Sequence, residues 1–352
     1  MGEHRFSYEW RLSDGYPAKG IESHGSTVFD TFVCGGGSSM GLKLAGYHHL
    51  GGVELDEKVA AVYKANHSPE HFYTMDVRDF NKLTDLPEEL YSLDLFSTSP
   101  PCSTFSRAGD LEKAYGKRKR FAEGQKLQTL DDLVFVACDT IAILQPKTFI
   151  MENSGDIIKS NGASYAKRIV DKLMRTGYVV QVFSLNAANM GVPQARERVF
   201  FIGHKAEYKL PRLTLDFHEP YIYFGEFMEH DAVTPRLSAF QQGLWERRIP
   251  SDMSFGDIIM RLQGRYSMCN SKIYHSDRVV GTLAAGTSYA VYDYPRQMTE
   301  REIMLAGTFP LDYKYKTLSD LRFLVGMAVP PVMMAQISYE VWRQWISKIR
   351  NS

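Results

Sequence analysis

The chain has 352 residues, with 41 Lys and Arg against 41 Asp and Glu, so its formal net charge is zero and any surface for a polyanion must be local. At 44% hydrophobic and 23% charged residues it has the make-up of a folded globular protein, not of a disordered one. No apolar run approaches the roughly 18 residues of a membrane span. The opening stretch MGEHRFSYEWRLSDGYPAKG lacks a signal peptide's apolar segment, so a cytoplasmic protein is the expectation.

Read in chain order, the first half repeats a strand-helix rhythm. STVFDTFVCGGGSSMGLKLAGY predicts a strand, a glycine-rich turn and a helix; HHLGGVELDEKVAAVYKANH predicts a second strand and helix. HFYTMDVRDF is strand-like, and LDLFSTSPP is an apolar strand stopped by prolines. DDLVFVACDTIAILQPKTFIMENSGD gives a helix, a proline break and the buried strand KTFIMEN. SYAKRIVDKLMRTGYVVQVFSLNA adds a helix ending near Gly177 and another strand. This alternation predicts an α/β fold with a doubly wound, mostly parallel sheet of Rossmann-like type. From about Ala206 the rhythm stops. Residues 206–277 are rich in aromatics, prolines and short polar turns without a clear period, and read as a small irregular subdomain before order resumes to the C-terminus.

Several positions carry chemistry. The turn FVCGGGSSMG after a strand is either a tight turn or a loop that lets a ligand approach the backbone at a helix N-terminus. Glu54 follows Gly35 by 19 residues at the end of the next strand, where a carboxylate can take both hydroxyls of a ribose. Asp76 could reach an adenine amino group or simply cap the following helix. Cys102 sits just past a strand end behind Pro100 and Pro101, whose fixed φ angles restrict the backbone; a thiol there is either a held nucleophile or buried filler. The four cysteines, Cys34, Cys102, Cys138 and Cys269, form no CxxC pair, which argues against a zinc site and a disulfide framework. Glu152 ends the next sheet strand and would stand near Cys102 if the two strands are neighbours. Gln194, Arg196 and Arg198 alternate along an extended segment, which predicts their side chains on one face.

Together these stretches resemble the cytosine-C5 DNA methyltransferases. FDTFVCGGGSSMGLKLAGY matches the cofactor loop, SPPCSTFS the nucleophile, MEN the glutamate, GVPQARERVFFIG the arginine strand and FLVGMAVPPVMMAQI the C-terminal motif, in the family's order over about residues 27–340. The resemblance implies S-adenosylmethionine as cofactor and a class I methyltransferase fold. It implies that Cys102 adds to C6 of a flipped-out cytosine, with Glu152 at N3 and the exocyclic amine and Arg198, beside Arg196, at O2. For the cofactor it implies Phe32, Gly36, Gly37, Glu54, Leu55, Asp76, Val77, Pro100, Leu133 and Val329. For double-stranded DNA it implies Ser106, Gln194 and the basic run Lys117, Arg118, Lys119 and Arg120.

The same resemblance divides the chain into an N-terminal extension (1–26), a catalytic domain (27–205), a target-recognition domain (206–277) and a C-terminal return (278–352). A monomer with room for a cognate restriction endonuclease is expected, and the apolar runs and cysteine spacing give no expectation of a membrane or metal. The chain departs from the family pattern at Cys34, where a glycine is usual, and at Ser103, Ser154 and Met327. Cys34 is expected to narrow the backbone's approach to the cofactor. Two alternatives stay open: an RNA (tRNA) cytosine methyltransferase, and a catalytically silent DNA-binding homologue.

Overall fold

A computed structural model of the chain describes residues 4–101, 132–159, 163–265 and 271–350, and the backbone of the two-residue strands Arg118–Lys119 and Gln128–Thr129. The chain divides into two compact units. One holds Tyr16–Asn186, Glu197–Asp216 and Met334–Ser352; the other holds Met1–Gly15, Ala187–Arg196 and Phe217–Met333.

The first unit is built on a seven-stranded sheet: β1 (Thr27–Thr31), β2 (His48–Glu54), β3 (His71–Thr74), β4 (Leu95–Thr98), β5 (Thr148–Ser154), β6 (Tyr178–Asn186) and β7 (Glu197–Lys205). Their order is β3-β2-β1-β4-β5-β7-β6, parallel except for β7, which runs antiparallel to both neighbours. The helices alternate with the strands as the sequence predicts: α1 (Gly37–Leu44), α2 (Glu57–His67), the short α3 (Val77–Phe80), α4 (Leu133–Leu144) and α5 (Ala163–Arg175). α2 starts where the Asp56 carboxylate accepts the Lys58 and Val59 N–H groups. α5 buries Ala166, Ile169 and Leu173, one helical stripe, in a core with Phe29, Phe96, Phe149 and Phe201 from the sheet. β5 is buried along almost its whole length, as a central parallel strand must be. Winding reverses between β1 and β4, so their carboxyl ends form the switch point at which such sheets bind ligands.

The unit closes on itself through the chain ends. The His24 ring stacks on Trp342 with centroids 4.6 Å apart and meets Tyr47 edge-on at 4.5 Å. Burial lowers its pKa from 6.5 to about 4. The unfolded chain therefore binds the extra proton between those values, and this group's contribution is complete above pH 6.5 and is lost as pH falls towards 4. His24→Asn is expected to flatten that acid limb in urea titrations at pH 4 to 7; an unchanged limb counts against the assignment.

The second unit contains α6 (Ala239–Trp245), α7 (Phe255–Gln263), α8 (Glu300–Ala306) and α9 (Leu318–Met327); the chain leaves it within α10 (Pro331–Val341). Its small core joins Leu244, Phe255, Ile258, Ile259, Ile273 and Ala290. The segment read as irregular contains α6 and α7, begun by Ser238 and Ser254, whose hydroxyls accept the Gln241 and Asp257 N–H groups. These serine caps were legible in the sequence as start signals.

The unit boundaries also differ from the expected domain limits. Trp10 is buried and its indole N–H donates to the Thr308 carbonyl, so the described residues 4–15 belong to the second unit. Contrary to expectation, the helical run Leu318–Arg350 is long and apolar enough to cross a membrane. However, 83% of its apolar window is buried, as in the core helix of a globular protein.

Candidate active site

Parallel pairing brings five strand ends to one edge of the sheet. Thr31 of β1 lies level with Val53 of β2 and Thr98 of β4, and Thr98 with Met151 of β5. The Thr31 and Thr98 hydroxyls are 2.8 Å apart, a hydrogen bond that fastens β1 to β4 at the switch point.

Beyond β1 the backbone turns through a loop in which Phe32, Cys34 and Gly36 all have left-handed φ angles of 58°, 46° and 78°. Cys34 therefore holds the conformation that the family's glycine would adopt without strain. Its N–H donates to Glu54 Oε2 at 3.0 Å, and Oε1 of the same carboxylate accepts from Asp56 N at 2.9 Å. Burial raises the Glu54 pKa and these two backbone donors oppose it. Phe32, Cys34, Glu54, Leu55 and Asp76 remain partly accessible, forming a rim at the ends of β1, β2 and β3.

Gly36 and Gly37 are buried at the start of α1. Val77 and Leu133, expected at the cofactor, are 4% and 1% exposed, and Val77 packs in the core with Phe29 and Val53 of the sheet. Asp76 caps α3 by accepting from Arg78 N at 2.8 Å, and Arg78 also pairs with Asp76 and with Asp132, which precedes α4. Val329 is buried in the second unit.

At the end of β5 the Glu152 carboxylate is 2.9 Å from Arg198 Nε on β7. Antiparallel register sets Phe200 opposite Glu152, so Arg198 reaches it diagonally from two residues along the strand. The next residue, Asn153, is 2% exposed; its amide donates to the Pro100 carbonyl at 3.1 Å and its carbonyl oxygen accepts from Ser154 N at 2.9 Å. Nothing in the motif MEN had singled Asn153 out, because its partner is 53 residues away. The expectation that β4 and β5 are neighbours holds, and Pro100, two residues before Cys102, is tied to the strand that carries Glu152.

The single row of Gln194, Arg196 and Arg198 does not form. Gln194–Ala195 is a two-residue strand paired with Val280–Gly281 in the second unit, whereas Glu197 opens β7 in the first. Gln194 is 1% exposed: its amide donates to Ala306 O and its Oε1 accepts from Leu283 N, which leaves no surface for DNA. Arg196 is 2% exposed and donates to the carbonyls of Leu283 at 3.2 Å and Gly326 at 2.9 Å, so its guanidinium binds backbone oxygens instead of a base. Local alternation could not reveal a change of partner strand between residues 195 and 197.

Cys102, Ser103, Ser106, Lys117 and Arg120 lie outside the described residues, as do the side chains of Arg118 and Lys119. Cys269 lies outside as well. Cys34 and Cys138 are free thiols. Burial pushes both pKa values up, Cys138 to about 12, so neither is poised as a thiolate.

The family model of the C-5 cytosine-specific DNA methylases matches residues 26–343. The chain belongs to this family. It is 29% identical over 340 residues to the type II methyltransferase M1.HphI of Haemophilus parahaemolyticus, covering 90% of this chain and 86% of that one. It is 31% identical over 183 residues to M.DdeI of Desulfomicrobium norvegicum, covering 51% of this chain and 41% of the relative. A crystal structure of a putative DNA modification methyltransferase encoded within an E. coli prophage superposes with a TM-score of 0.63 at 19% identity, over 91% of this chain and 99% of that one. The sheet is thus that of a class I methyltransferase, and membership of the family makes the chain a DNA cytosine-C5 methyltransferase.

Proposed function

We propose that the enzyme methylates C5 of a cytosine swung out of double-stranded DNA, with Cys102 as covalent nucleophile and S-adenosylmethionine as donor. The observation that carries this reading is the junction of β4 and β5, where Asn153 holds the Pro100 carbonyl and Arg198 holds Glu152. The thiolate of Cys102 adds to C6, which makes C5 electron-rich. Glu152 hydrogen-bonds N3 and the exocyclic amine as charge develops on the ring, and Arg198 both orients Glu152 and takes O2. Once C5 carries the methyl group, a base removes its proton and Cys102 departs by β-elimination.

A nucleoside-bearing cofactor fits the rim at β1 to β3. The Glu54 carboxylate has about four acceptor positions, and the backbone donors Cys34, Asp56 and Leu55 leave one for a ribose hydroxyl. The partly exposed Phe32 ring offers a stacking face, and Asp76 stands at the next strand end. When bound, S-adenosylmethionine supplies an electrophilic methyl group.

The second unit is assigned sequence readout, and Ser106 with Lys117, Arg118, Lys119 and Arg120 the closure of the gap and phosphate contact. The enzyme is taken as a monomer, with room for a cognate restriction endonuclease. Incubation with tritiated donor should label duplex DNA and not tRNA, with bisulfite sequencing locating the base; labelling of RNA alone overturns the choice of substrate.

A further inference from the structure

The loop that receives the cofactor is costly to hold. A left-handed conformation is strained at a non-glycine residue, and Phe32 and Cys34 both adopt one, so the surroundings must enforce it. One support is visible in the site already described: Val33 N donates to Val53 O at 3.3 Å and Cys34 N to Glu54, which ties the loop to β2.

A second support is a histidine. His67 is the last residue of α2 and is 7% exposed. Its ring stacks on Tyr63 at 4.2 Å and 18°, while its own carbonyl accepts from Lys43 Nζ of α1 at 3.2 Å. The Tyr63 hydroxyl donates to Ser39 Oγ at 3.0 Å, and Ser39 donates to Asp30 on β1, so the support beneath the ring is tied to α1 and the sheet. The ring occupies the place a side chain at Gly36 would take. A Cβ there would overlap Nε2 and Cε1 and crowd Cδ2, the Nε2 end of the imidazole. Burial, with Lys43 and His49 close by, pushes the His67 pKa well below its usual value, so the ring is a neutral packing group.

We infer that His67 is a positioning residue for cofactor binding: its imidazole, pressed on Gly36, sets the curvature of the loop Phe32–Gly36, which Glu54 holds separately at Cys34. No motif that matches the family includes it, and it touches neither donor nor DNA in this assignment. The inference rests on the cofactor reading above.

The test is calorimetric binding of S-adenosylhomocysteine to the full chain, with melting temperature and steady-state kinetics alongside. His67→Ala is expected to weaken binding roughly tenfold, about 1.4 kcal/mol, and to raise KM for the donor while kcat at saturation stays within about twofold. Gly36→Ala should weaken it further, and Gly36→Ala combined with His67→Ala should bind more tightly than Gly36→Ala alone, because removing the ring makes room for the methyl group. Should His67→Ala fail to fold, His67→Val, which fills the core but reaches less far, is read by the same affinity criterion. Wild-type affinity in a folded His67 variant with a lowered melting temperature, or a double variant no better than Gly36→Ala, makes the ring mere core packing and overturns the inference. Wild-type protein that binds no S-adenosylhomocysteine overturns the cofactor reading instead.

Discussion

Cys102→Ala is expected to lower methyl transfer by roughly 10⁴-fold or more, the scale on which loss of a covalent nucleophile acts, while duplex affinity stays within a few fold. The thiol makes and breaks a bond and contributes no lasting contact, so its removal is felt only along the reaction coordinate. The matching trap is DNA with 5-fluorocytosine at the target. After methyl transfer the C5 substituent is fluorine instead of hydrogen, β-elimination cannot proceed, and the enzyme should remain bonded to the base in the presence of donor. Wild-type protein should give a denaturant-stable adduct and the alanine variant none. Turnover unchanged in the variant removes the nucleophile assignment. A wild-type protein that binds duplex DNA and donor but gives no adduct would favour the silent homologue.

Glu152→Gln is expected to cost roughly 10²–10⁴ in single-turnover rate, the usual contribution of a positioned acid or base, with little change in the KM for DNA. The amide keeps the shape of the side chain but cannot answer charge developing at N3, and it leaves the Arg198 guanidinium, 2.9 Å away in the parent, without a counter-charge. Because Arg198 holds the carboxylate, Arg198→Met should lower the same rate, and the double variant should lose less than the sum of the two. Fully additive losses would mean that the pair does not act as a unit.

Much of the first unit was legible because its signals are local. Apolar runs ended by Gly or Pro mark the strands, KTFIMEN covers all of β5 but its last residue Ser154, and the helical stripe of α5 is visible without any partner. Cys34 takes a glycine-like backbone conformation, and its N–H meets Glu54, a contact across 20 residues that spacing alone only hints at. The α6 and α7 helices carry serine start signals, but each is short and the surrounding aromatics and prolines mask its helical period. Gln194 and Arg196 were misplaced for a deeper reason: period-two alternation assumes one continuous strand, and the chain changes partner at Glu197.

By itself the order of residues determined which elements form, that they wind into a largely parallel α/β sheet, and which motifs carry the family's chemistry, since each of these is written within a few neighbouring positions. Only the tertiary structure decided which side chains serve the edge of that sheet and which serve its framework. Asn153 fastens Pro100, Arg198 fastens Glu152, and His67 fills the hollow at Gly36, whereas Arg196 and Gln194 are spent on backbone groups. A buried polar group must find its partner wherever the strands bring one, and that partner lies tens of residues away along the chain.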